Sequence, residues 1–158
     1  MNERDKLLSE LESEFEKVKK EYGINSSFDE IDEAFKIKNT ILGKGYVPLE
    51  LHKIICTLIA SDYRDWHTYF NNLLIPNQGY YASQVESRLF SSEKDKERLW
   101  SLVKKSMEIS SLSAVVNLKG DDREVAKFID STTQYWTNEF KPILVEIMTR
   151  INEAWSRE

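Results

Sequence analysis

From Glu3 to Tyr22, apolar residues recur at Leu7, Leu8, Leu11, Phe15, Val18 and Tyr22, the three-and-four spacing that gives a helix one apolar face. Gly23 ends this first helix. Ser27 and Glu30 form a capping-box pattern that opens a second helix, with Phe28, Ile31, Ala34, Phe35, Ile41 and Leu42 inward and Gly43 and Gly45 as its stop. A third helix is expected to start at Pro48, where a missing amide hydrogen is harmless, and to end before Pro76. Its stripe is Leu51, Ile55, Leu58, Trp66, Tyr69 and Leu73.

The stretch after Pro76 is too long for a plain turn, and a short helical piece is expected around Ala82 to Phe90. Ser91 or Ser92 then caps a fourth helix that runs to Lys119 and is terminated by Gly120. Asp121 and Glu124 open a fifth, continuing to about Trp155 with a bend at Pro142. No segment alternates with a period of two for long enough to make a strand. The pattern therefore predicts an all-α chain, an up-and-down bundle of long helices over residues 1–158 as one domain. Two arrangements fit: four arms with the first broken into two helices, or five helices with helix one folded back.

Composition supports a packed bundle. The 158 residues are 41% hydrophobic, with 4 Trp, 7 Tyr and 7 Phe against only 5 Gly and 3 Pro, which excludes a disordered or loop-rich chain. The net charge of −5 repels nucleic acid and anionic lipid. The basic clusters, Lys17, Lys19, Lys20 and Lys94, Lys96, Arg98, Lys104, Lys105, are interleaved with acids and read as solvated helix faces. One cysteine, Cys56, excludes an internal disulfide and fits a buried structural thiol. The charged first segment reads as neither leader nor membrane span, so a cytoplasmic setting is expected.

Chemistry is sparse. The third helix carries Asp62 between Leu58 and Trp66, on the face expected to be buried, where an unpaired charge costs several kcal/mol. On the fourth helix, Ser106, Ser110, Ser113 and Asn117 form a polar seam between two apolar ridges, Leu102, Ile109, Val116 and Val103, Met107, Ala114. A depth alignment joins these features. Asp62 lies 14 residues before Pro76, Ser106 lies 14 after Ser92, and Tyr135 lies 14 after Asp121. A buried layer of Asp62, Ser106, Ser110, Thr132 and Tyr135 is thus expected, as a register-fixing network or as the lining of a polar pocket.

Glu30 and Glu33, followed by Asp62 and Asp65, give E-x-x-E and D-x-x-D tetrads. Over those tetrads alone the chain resembles the all-α nucleotide pyrophosphohydrolases, which implies carboxylates holding Mg²⁺ against a triphosphate. The helical projection turns Glu30 and Glu33 toward water, so no metal or other cofactor is expected. His52 and His67 read as surface or rim residues, and Lys38 as a side chain that snorkels to the edge. No nucleophile motif or glycine-rich phosphate loop is present. Tyr46, Tyr80, Tyr81, Phe90 and Trp155 exceed what a core needs, and such aromatics are favoured in interfaces.

Two functions follow as expectations. One is a non-enzymatic bundle that associates with a protein partner or with itself. The alternative is a small-molecule or nucleotide-binding protein, extending to a Mg-dependent nucleotide hydrolase, with its pocket around Asp62.

Overall fold

A computed structural model describes residues 2 to 157. The described chain is helical and without strands: α1 (Glu3–Tyr22), α2 (Phe28–Phe35), α3 (Ile37–Leu42), α4 (Leu51–Leu74), α5 (Tyr81–Arg88), α6 (Glu93–Lys119), α7 (Asp122–Tyr135) and α8 (Lys141–Arg157), with a π-helical turn, Trp136–Phe140, joining α7 to α8. The caps are those the side chains dictate. Ser27 and Glu30 bond reciprocally at the start of α2, Ser92 accepts from the Asp95 amide, and Asp121 accepts from the amides of Arg123 and Glu124. Gly120 closes α6 in a left-handed conformation that a larger residue resists.

The bundle runs up and down. Cys56 on α4 meets Ser113 on α6 at 3.5 Å, and Arg64 meets Ser110 at 3.1 Å, so residue numbers rise on one helix as they fall on the other. Along α7 they rise together: His52 meets Asp122, and Tyr63 meets Thr132. Helix one is folded back. Phe15 stacks on Phe28 at 4.4 Å, Glu12 faces Lys38 at 3.5 Å, and Arg4 reaches Asn39 at 3.4 Å, the contacts of an antiparallel pairing of α1 with the α2–α3 segment.

Three elements depart from expectation, each for a local reason. The second helix breaks at Lys36, which has a left-handed φ of 56°. In one continuous helix Phe35 and Ile37 would point about 200° apart, whereas the break buries both. Asp32 stabilises it by accepting from the Lys38 amide at 2.8 Å. The third helix begins at Leu51 rather than Pro48, because Glu50 adopts a left-handed φ of 53°. Finally, the expected bend at Pro142 is resolved as the π turn just before it. Proline has no amide hydrogen and its ring crowds the carbonyl four residues back, here Asn138. One wider turn relieves the conflict, with the Lys141 amide donating to the Trp136 carbonyl.

The core is continuous along α4 and densest at the π turn. Tyr63, Phe70 and Phe140 are fully buried, and Tyr63 packs edge-on against Phe140 at 5.1 Å and Trp136 at 5.8 Å. Such pairs add about 0.5–1.5 kcal/mol beyond the area they bury. The turn thus lies where the aromatic side chains are thickest.

Candidate functional site

The buried face of α4 is Leu51, His52, Ile55, Cys56, Ile59, Ala60, Tyr63, Phe70 and Leu73, a set centred nearer Tyr63 than Asp62. Leu58, Trp66 and Tyr69, taken from the pattern as core, are half-buried flanks. Asp62 therefore sits at the edge of the buried face and is itself half-buried. Burial, with the charge of Asp65 one turn away, raises its carboxyl from 3.8 to about 6.

The expected depth alignment places the layer well, but its hydroxyls turn elsewhere. Moving seven residues along each helix from the Cys56–Ser113 contact sets Ser106 level with Tyr63, both fully buried. Tyr63 also lies 6.3 Å from the Tyr135 ring and donates its hydroxyl to the Thr132 carbonyl at 2.7 Å. Ser106 donates back to the Leu102 carbonyl at 2.8 Å, and Thr132 to the Phe128 carbonyl at 2.7 Å. Ser110 accepts from Arg64. Tyr135 is half-buried beneath the Lys105 ammonium, 5.3 Å from its ring centre, and its phenol is raised mainly by burial. Asp62 receives none of these hydrogen bonds. Small hydroxyls bonded to their own helices satisfy themselves, which is how serine and threonine usually settle inside a helix.

The polar centre of the layer is thus Tyr63, a residue the pattern concealed because tyrosine counts as apolar in a helical stripe. Its phenol is raised strongly by burial, then by Tyr135 and Asp62, and it acts as a neutral donor. Five surface cavities of about 90 to 570 Å³ lie elsewhere, and none has Asp62 in its wall.

The remaining titratable groups are placed as follows. His52, expected at the rim, is only 2% exposed. Its Nε2 lies 2.7 Å from Asp122 Oδ1, its Nδ1 is buried without a partner, and the Tyr22 ring covers it at 4.5 Å. The pair ties the start of α4 to the start of α7. His67 is half-buried, with its Nδ1 also unpartnered. Cys56 is fully buried, and burial raises its thiol, away from the reactive thiolate. Lys38 reaches Asp29 at 2.7 Å. Glu30 and Glu33 are exposed, and Glu30 accepts from the Ser27 amide in the α2 capping box. Among the described residues, no group of three or more His, Cys, Asp or Glu side chains comes together as a metal site.

The larger correction concerns α6. Of the two ridges expected to enclose its seam, Leu102, Ile109 and Val116 are buried along with Val103, but Met107 and Ala114 face solvent. They belong to an outward stripe of Trp100, Lys104, Met107, Ser111, Ala114 and Leu118, whose alternating steps of four and three are the spacing of a coiled-coil seam. Trp100 is 56% exposed and Leu118 87%, and Leu112 and Val115 widen the stripe. α6 is therefore apolar on opposite sides. Tyr46, Tyr80, Tyr81 and Trp155 are exposed as expected, whereas Phe90 is buried under the Arg150 guanidinium, 4.4 Å from its ring.

The accessible surface is 9674 Å². A compact monomer of this mass exposes roughly 8,200 Å², so the chain carries about 1,500 Å² more than its size requires. No helix of the described residues is long and apolar enough to cross a membrane. Compared with protein-family models, curated proteins and solved structures, the chain finds no match.

Proposed function

We propose that this chain is a non-enzymatic helical bundle that works by self-association, with the outward face of α6 as its docking surface and a second copy as the occupant. The observation that carries the proposal is the exposed seam from Trp100 to Leu118 on a helix whose opposite side is already packed. Scattered apolar residues are normal on a surface, whereas a stripe at heptad spacing supports reading this face as a docking surface. The chain's excess surface is compatible with an interface. A standard interface takes about 800 Å² from each partner.

The seam also favours one orientation. In a parallel pair Lys104 would face Lys104 and Glu108 would face Glu108. In an antiparallel pair centred on Ser111, Lys104 lies opposite Leu118, Glu108 opposite Ala114, and Met107 opposite Val115. Like charges separate, helix dipoles oppose, and Ser111 with Ala114 lets the backbones approach. A cytoplasmic setting accords with the single, buried thiol of Cys56.

Cysteine pairing tests the orientation. Chains carrying Met107→Cys and chains carrying Val115→Cys are expected to form a mixed disulfide when combined, faster than either forms one alone. A faster bond between two Met107→Cys chains would indicate the parallel pair and overturn the antiparallel one. Absence of any cross-link above the rate of random collision would overturn self-association through this face.

A further inference from the structure

A second surface feature stands apart from α6's outward stripe. At the end of the bundle where α4 finishes, a cavity of about 540 Å³ opens between the last turn of α4, the segment after it, α5 and the first turn of α6. Its floor includes Leu73, Leu74 and Phe90, and its wall includes Arg88, Ser91 and Lys96. No carboxylate lines it, although the chain has 27 acidic residues against 22 basic ones. The walls of four other cavities each include at least one glutamate or aspartate.

A helix C-terminus normally brings the negative end of its dipole and unpaired carbonyls. Here three of the last four carbonyls of α4 are covered. Ser87 donates to the Leu73 carbonyl at 2.7 Å, Ser83 to the Asn72 carbonyl at 3.4 Å, and the Ile75 amide to the Asn71 carbonyl at 2.8 Å. The two serine bonds fasten α5 over the end of α4, so the cavity is built before any ligand arrives. Gln84 adds a further tie, donating to the Gln78 carbonyl at 2.6 Å. Both cations at the wall are exposed; among the described residues Arg88 has no ion pair, and Lys96 has a long one of 3.7 Å to Glu93.

We infer that this cavity binds a small organic oxyanion, with a phosphate or carboxylate head on Arg88 and Lys96 and a short apolar body against Leu73, Leu74 and Phe90. Arginine supplies a planar two-pronged donor for such a head and lysine a mobile point charge. The apolar floor selects against a bare inorganic ion. Seven of the other basic groups, Lys17, Lys38, Lys53, Arg98, Lys105, Lys127 and Arg150, are paired with carboxylates, which would repel the same ligand.

Phenyl phosphate, benzoate and inorganic phosphate are the probes, titrated at low salt into the full chain while backbone amide resonances are followed. Phenyl phosphate or benzoate is expected to shift the amides of Leu73, Leu74, Phe90 and Ser91 saturably, and whichever binds more tightly identifies the head group. Inorganic phosphate should bind at least tenfold more weakly than phenyl phosphate. The double variant Arg88→Gln/Lys96→Gln should weaken binding by tenfold or more while leaving the rest of the spectrum in place, since both residues are exposed. The proposal fails if neither organic probe gives saturable shifts, if the double variant binds as well as the parent, or if inorganic phosphate binds as tightly as phenyl phosphate. A dimer through α6 neither requires nor excludes this site, so the two tests fail separately.

Discussion

The inward and outward faces of α6 are built from similar materials but have different fates. Inward, Leu102, Ile109 and Val116 are buried with Ser106 and Ser113 among them. Outward, Trp100, Met107, Val115 and Leu118 are left in solvent. The difference is one of neighbours. α4 and α7 cover one side, and no element of the described chain covers the other. An apolar ridge thus specifies that something should pack on it, and the fold decides whether that something belongs to the same chain.

Substitutions on the two sides should separate accordingly. The largest effect is expected inside: Leu102→Ala should cost about 2–5 kcal/mol in urea denaturation, through lost transfer energy and the cavity left behind. A cost under about 1 kcal/mol would mean that the inward ridge is not tightly packed.

Asp62, at the edge of the buried face, should give an intermediate effect of the opposite sign. Its carboxyl is raised from 3.8 to about 6 in the fold, so between these values the unfolded chain ionises while the folded one keeps its proton. Stability falls across that window and the penalty is complete above it. Asp62→Asn should therefore stabilise the protein above about pH 6, with the gain disappearing below about pH 4. Solvent screening of the half-buried group reduces the gain to about 1–2 kcal/mol. Unfolding curves from pH 3.5 to 8 provide the check, and a gain that did not vary with pH would contradict the burial of this carboxyl.

Tyr63→Phe isolates the hydrogen bond to Thr132. The ring contacts remain and the carbonyl keeps a backbone donor, the Trp136 amide, so a loss of about 1 kcal/mol is expected. The smallest effect belongs outside. In dilute solution Leu118→Ser should change unfolding by no more than about 0.5 kcal/mol, and a loss comparable to that of Leu102→Ala would show that the stripe is part of the core.

The helices and their order were legible because amphipathic spacing, proline and glycine positions and capping residues all pointed the same way. The breaks were less so. Lys36 and Glu50 take left-handed conformations that their residue types do not announce, and Lys36 does so to turn Phe35 and Ile37 into one core. Tyr63, not Asp62, donates to the Thr132 carbonyl at the expected depth, since a shift of one position separates the two and about 100° of rotation then decides which is buried. His52 was concealed for a different reason. It lies near the centre of the α4 face, but its charge type suggested the rim. The outward seam on α6 was present in the spacing of Trp100, Lys104, Met107, Ser111, Ala114 and Leu118, but spacing alone does not say which side of a helix the fold covers.

Sedimentation equilibrium over a hundredfold range of concentration tests the role of the outward face most directly, with the parent chain compared to Met107→Asp/Val115→Asp. The parent is expected to move from monomer toward dimer as concentration rises, while the double variant remains a folded monomer throughout, with an unchanged helical circular-dichroism spectrum. A parent chain that stays monomeric across the range, or a double variant that dimerises as well as the parent, would contradict a second copy as the occupant of that face.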